Sequence, residues 1–131
     1  MIRLINPSEW TRPKGYSNGV TAQGQMIFLA GQVGWDANEV FRTDDLVGQV
    51  RQALANIVAI LATAGARPEH IVRMTWYLAD KNEYNARLGE IGQVYRETIG
   101  RHYPAMTAVQ VAGFVEDGAK VEIEVTAMLP A

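Results

Sequence analysis

From Ala105 to Ala112 the chain carries no charged side chain on either of the two faces that a strand presents. Ala105, Thr107, Val109 and Val111 alternate there with Met106, Ala108, Gln110 and Ala112, so a lone chain would leave an apolar strand face against water. A patch of that kind usually marks an interface, which makes self-assembly the first expectation. A second run differs from it. Val121, Ile123, Val125 and Ala127 form an apolar stripe, alternating with Glu122, Glu124 and Thr126, so both carboxylates point to one side of a strand.

The rest of the chain supplies helices to cover such a sheet. Leu46, Val50, Ala53, Leu54, Ile57, Leu61 and Ala64 recur at helical spacing, with Thr43-Asp44-Asp45 as the capping end and Gly65 as the stop. A second helix is expected from Asn82 to Ile99, with Tyr84, Leu88, Ile91, Tyr95 and Ile99 on one face and Gly89 and Gly92 weakening it. Val72, Met74, Trp76 and Leu78 alternate with Arg73, Thr75 and Tyr77 as a strand. Met26-Ile27-Phe28-Leu29-Ala30 reads as a strand with both faces buried, and Gly19 to Gln23 is expected to pair with it as a hairpin through Gly24-Gln25. The predicted order is strand, strand, helix, strand, helix, strand, strand. Two helices cover one face of such a sheet, so the other face needs a partner or stays wet.

Length and composition bound the chemistry. The 131 residues are expected to form a single domain, 1–131, and twelve basic against fourteen acidic side chains leave a formal charge of −2, with no global field toward nucleic acid or anionic lipid. Zero cysteines exclude a thiol nucleophile, a disulfide framework and a thiolate zinc site. No uninterrupted apolar segment approaches a membrane span and no targeting pattern opens the chain, so a cytoplasmic protein without a membrane partner is expected.

Individual side chains leave alternatives open. Glu122 and Glu124 read either as a solvated face or as a carboxylate positioning water in a cleft. His70 and His102 are isolated, without metal-ligand spacing, and read as surface or loop residues. Trp76 falls on the apolar alternation and reads as core, whereas Trp35, after Gly31-Gln32-Val33-Gly34, is a candidate to rim a pocket. Neither Gly15-Tyr16-Ser17-Asn18-Gly19 nor any other stretch has the pattern of a phosphate-binding loop.

Several segments, in order, resemble the Rid family, also called YjgF, of reactive-intermediate deaminases. They are Ile5-Asn6-Pro7, Gly15 to Gly19, Ala30-Gly31-Gln32-Val33, Gln49 to Ile57, Ala64-Gly65-Ala66, Tyr103 to Ala112 and Val121 to Ala127. The resemblance implies an α+β, chorismate-mutase-like fold and a homotrimer with intersubunit clefts. In deaminating members an amino-acid-derived imine binds through an arginine after Pro-Ala, and water positioned by a glutamate attacks it. The resemblance assigns catalytic roles to Glu122 and Tyr16, and places Ala30, Gly31, Gln32, Met106 and Thr107 around a small-molecule ligand, with Trp35 added from the residue reading. No metal or organic cofactor is implied.

This chain has Met106 where the family arginine stands, and a thioether cannot hold a carboxylate through a bidentate fork. Losing one partner of a buried charge pair costs about 2 to 5 kcal/mol. The expectation is therefore a Rid-like hydrolase of a small imine or enamine that is not amino-acid-derived, unless Arg12, Arg73 or Arg101 supplies the charge. The alternative is a non-catalytic trimeric small-molecule binder. Endoribonuclease activity, attached to some relatives, is disfavoured by the acidic charge balance and the lack of a paired histidine.

Overall fold

The computed structural model describes residues 2–131 and arranges them as two sheets and a helical layer. Strands β1 (Ile2–Ile5) and β2 (Gly19–Ala22) pair antiparallel as a small separate sheet. The main sheet contains β3 (Gln25–Val33), β4 (Ile71–Leu78), β5 (Ala105–Gln110) and β6 (Val121–Leu129) in the order β3-β6-β4-β5. The β4–β5 pair is parallel and the other two are antiparallel, so the sheet is mixed. Helices α1 (Leu46–Thr63), α2 (Lys81–Ala86) and α3 (Leu88–Thr98) complete an α+β fold.

Helix α1 forms where its spacing predicts. Asp45 is its N-cap, accepting from the Gly48 amide at 3.1 Å, and Gly65 follows the C-cap with a φ of 78°, a conformation glycine adopts without Cβ strain. Its hydropathy and 18-residue length would suffice for a membrane span, but Val50, Ala53, Leu54, Ile57 and Leu61 are fully buried against the sheet's Met74, Trp76, Ile123 and Val125. Gln49 is equally buried. Its amide donates to the Thr43 and Gly118 carbonyls at 3.1 and 2.9 Å and its carbonyl accepts from the Lys120 amide at 2.8 Å, tying α1 to the loop before β6. All three polar contacts are satisfied, which removes most of the cost of burying an amide.

Four expectations about the elements change. Gly19–Ala22 pairs with β1 rather than with β3, because the chain turns at Gly24 (φ 142°) directly against Leu129; a Cβ there would lie 2.1 Å from the Leu129 carbonyl oxygen. The second helix is two helices. It breaks at Arg87 (φ −122°, ψ 24°), and the cap is Asp80, accepting from the Asn82 and Glu83 amides, rather than Asn82. Strand β3 is buried on one face only, with Met26 52% and Phe28 71% exposed, since helices cover a single side of the sheet. The uncharged segment expected to run to Ala112 is strand as far as Gln110.

Candidate functional site

The position of Tyr16 is set by its neighbour. Ser17 is 4% exposed; its hydroxyl donates to the Tyr103 carbonyl at 2.6 Å and its amide to the Pro104 carbonyl at 3.0 Å, while Asn18 is held by the Asn6 side chain. These bonds staple the Gly15–Gly19 loop to the start of β5. Tyr16 thereby stands beside Met106, and both line two cavities, one on each side of β5.

Register decides which side chain faces which cavity. In the parallel β4–β5 pair Met106 lies opposite Met74, which is fully buried beneath the helices, and Met106 itself packs on that core. Thr107 lies opposite Thr75, and Ala105 opposite Arg73, on the face that no helix covers. The uncovered-face cavity, about 630 Å³, has Arg73, Thr107, Thr126 and Phe28 in its walls. The helix-side cavity, about 620 Å³, lies between β5 and α3 and is walled by Trp76, Tyr84, Tyr95, Tyr103, Met106 and Ala108.

Burial raises the phenol pKa values of Tyr84 and Tyr95 above the ordinary 10.0, so both rings present neutral hydroxyls. Tyr95 donates to the His102 carbonyl at 2.6 Å and stacks on Tyr103 at 5.6 Å, and Trp76 meets Tyr84 edge-on at 6.2 Å. Trp76 is core as expected, but its Nε1 is buried without a hydrogen-bond partner among the described residues.

Glu122 sits elsewhere on the uncovered face, with Glu124 beside it. A register shift between Leu29 and Gln32 bulges β3 at Ala30 and Gly31, and a Cβ on Gly31 would stand 2.1 Å from a Glu122 carboxylate oxygen. Gln32 braces the bulge by donating to the Ala30 carbonyl at 3.0 Å. Glu124 accepts from the Tyr77 hydroxyl at 3.3 Å, and its charge is the main reason the Tyr77 pKa is raised.

The sequence-derived site therefore falls into two halves within one chain. Tyr16, Met106 and Thr107 gather around β5; Ala30, Gly31, Gln32 and Glu122 gather around the β3 bulge. Strands β3 and β5 are opposite edges of the sheet, three strand spacings or about 14 Å apart. Trp35 joins neither half: it packs against Phe41 with ring centroids 5.6 Å apart, and its carbonyl accepts from Asn56 at 2.7 Å. Arg73 lines the uncovered-face cavity, Arg12 lines a third one with Trp10, and Arg101 is exposed in the loop after α3. Both histidines make local bonds, His70 accepting from the Arg67 amide and His102 lying 2.6 Å from the Ile71 carbonyl. Among the described residues no group of three potential metal ligands occurs.

Sequence reasoning missed Arg96. It lies on α3 at the edge of the helix-side cavity, with Gly89 and Gly92 on the same helix face, a spacing readable in retrospect as a bare strip ending in a cation.

Comparison with known proteins agrees with this architecture. Residues 9–129 match the family model described as Endoribonuclease L-PSP. The chain is 36% identical to a RutC family protein of Pyrococcus horikoshii over 97% of its length and 98% of the relative's. It is 35% identical to a 2-iminobutanoate/2-iminopropanoate deaminase of Capra hircus, over 86% and 79% of the two chains. Among solved structures, YyfB of Yersinia pestis, a conserved Rid-family protein of unknown function, superposes with a TM-score of 0.86 at 34% identity and 98% coverage of each chain. Fold and sequence together define a small Rid-type α+β protein. The chain belongs to the Rid (YjgF) family.

Proposed function

We propose that this protein is a Rid-type imine or enamine hydrolase, assembled as a homotrimer whose clefts join the Glu122 half of one copy to the Tyr16–Met106 half of the next. The observation that carries the reading is the Gly31–Glu122 contact, a carboxylate held against a backbone stretch with no side chain between them. Assembly is supported by Met26, Phe28 and Val109, exposed apolar residues on the main-sheet strands. Relatives named as iminobutanoate/iminopropanoate deaminases, and a reactive intermediate deaminase of Escherichia coli so named provisionally, supply the reaction type.

In the proposed reaction Glu122 accepts a proton from a water as its oxygen bonds to the imine carbon. The C=N π pair moves to nitrogen, which takes up a proton from solvent. The resulting amino alcohol collapses: the C–N bond breaks and ammonia leaves with the proton returned by Glu122, while C=O forms as the hydroxyl proton passes back to solvent. An enamine enters the same path after protonation at carbon. Tyr16 borders the ligand, and Met106 and Thr107 line the cleft. The protein is expected to accelerate ammonia release from a panel of freshly generated imines, and Glu122→Gln to slow it about 10²- to 10⁴-fold. No acceleration with any imine, neutral or acidic, would refute the reading.

The aromatic wall of the helix-side cavity favours a second reading, a trimeric small-molecule binder without catalysis. It is separated from the first by the same assay combined with ligand binding. The family model's endoribonuclease description is not carried over, because His70 and His102 are each engaged with a backbone group, of Arg67 and Ile71 respectively.

A further inference from the structure

We propose that Arg96 is the anion anchor of the helix-side cavity, so that the substrate is a small carboxylate-bearing imine with an aromatic or large apolar side group. The proposal rests on the hydrolase reading for its reaction and on separate observations for its ligand. Met106 points to the covered side of β5, in register with Met74. A cation that takes over from a lost arginine at 106 must reach that same side. Arg73 borders Met106 and Tyr16 only in the uncovered-face cavity, since it lies opposite Ala105 on the other face, and Arg12 meets Tyr16 in a third cavity with Trp10. Arg96 reaches the covered side, since it shares the helix-side cavity wall with Met106 and Tyr16.

The local geometry explains how the guanidinium is held there. It lies over Gly92, where a Cβ would approach Nη1 to 3.2 Å, so the missing side chain gives it room. Among the described residues Arg96 has no carboxylate within 4 Å, a state it shares with Arg12, Arg73 and Arg101, so its place on the covered side of β5 is what distinguishes it. Arg96 is exposed, and the apolar wall on one side of it strengthens its field toward the cavity relative to open water. Its guanidinium also offers the planar fork that suits a carboxylate.

The walls define the rest of the ligand. Tyr84, Tyr103 and Met106 present ring and thioether surface, and Gly89 leaves open space with nothing within 4 Å of a hypothetical Cβ. Trp76 adds a buried indole N–H without a partner. A flat apolar group fills such a space, with its carboxylate directed to Arg96. The loss of charge at 106 alone points to a neutral substrate; Arg96 restores an acidic one from the facing helix.

The test is calorimetric titration of the assembled protein with phenylpyruvate, a stable mimic of an aromatic 2-imino acid, and with its primary amide. Phenylpyruvate is expected to bind at least about 10-fold more tightly than the amide. Arg96→Gln should weaken the acid on the order of 30-fold or more and leave the amide unchanged. Arg96→Lys should recover part of the loss, and Arg73→Gln should change acid binding by less than about 2-fold. Melting curves confirm that each variant is folded. Equal binding of acid and amide, no binding of phenylpyruvate, or an unaltered Arg96→Gln variant would overturn the anchor. Hydrolysis is scored separately through Glu122→Gln: acid binding that needs Arg96 in a protein without imine hydrolysis sinks the enzyme reading alone, and hydrolysis that needs Glu122 but not Arg96 sinks the anchor alone.

Discussion

Gly31 and Glu122 are in such close contact that a single methyl group on Gly31 would fall 2.1 Å from the carboxylate oxygen Oε2. No ordinary side chain fits without displacing the carboxylate. Gly31→Ala is therefore expected to fold, since the clash is with the end of a movable side chain, but to lose about 10-fold or more in turnover of any imine substrate by moving the proposed base. Parallel melting and initial-rate measurements check it. A variant with unchanged rates would separate Glu122 from the chemistry.

Arg87 joins three elements. It bonds to the capping carboxylate of Asp45 at 2.5 Å and to Glu90 at 2.9 Å, linking the start of α1 to the break between α2 and α3. The Arg87 guanidinium holds the Asp45 carboxyl below its ordinary 3.8, with the Gly48 amide contributing. A depressed folded-state pKa means that this contribution is present above the unfolded value and lost as pH falls through the folded one. Asp45→Asn keeps an N-capping side chain but not the charge. Its melting temperature should lie below the parent's near pH 7, converge with it as pH falls below the ordinary carboxyl value of 3.8, and give a shallower acid limb. Both groups are substantially exposed, so the difference should shrink in high salt.

Helix α3 carries two glycines whose replacement should separate stability from binding. Nothing lies within 4 Å of a Cβ on Gly89, so Gly89→Ala should raise unfolding free energy by up to about 1 kcal/mol in urea titrations. Gly92→Ala should gain on the same helical grounds, yet it pushes the Arg96 guanidinium from its resting place. A Gly92→Ala protein that is more stable and binds acids as well as the parent would show that the position of this arginine is unimportant.

The orphan indole of Trp76 makes an unusual core position. Truncation to alanine should cost about 3 to 5 kcal/mol, in line with large aromatic deletions. Trp76→Phe removes the unsatisfied N–H along with part of the ring, so it should cost much less than the alanine variant. Equilibrium unfolding of both variants decides it.

The legible parts of the fold were those governed by local periodicity. Helix α1, its cap within Thr43-Asp44-Asp45, and the alternation of β6 and of β4 from Met74 onward follow from side-chain spacing within a few residues, whereas a register shift at the start of β4 buries Ile71 in place of Val72. The pairing of β2 was not legible, because a turn at Gly24 suits a hairpin equally well until Leu129, over a hundred residues away, occupies the adjoining space. The break at Arg87 has no proline to announce it, only the weakening Gly89 two residues on, and Arg87 is held there by ion pairs to Asp45 and Glu90. At the candidate site, Tyr16, Gly31, Met106, Thr107 and Glu122 came from a family pattern. Their division between two sheet edges and the approach of Arg96 depend on strand order and on which side Met106 faces, and neither is written in residue spacing.

The placement of Glu122 on β6 and Met106 on the edge strand β5, two strand positions apart and on opposite faces of the sheet, has a genetic consequence. If each working centre draws one half from each of two copies, a protein defective at Glu122 and a protein defective at Arg96 damage different halves. Mixed in denaturant and refolded together, the two impaired parents should yield hybrid assemblies in which some centres unite two sound halves. Complementation of this kind would then appear between alleles that fail alone, and it would be absent from a protein whose centre lies within a single chain.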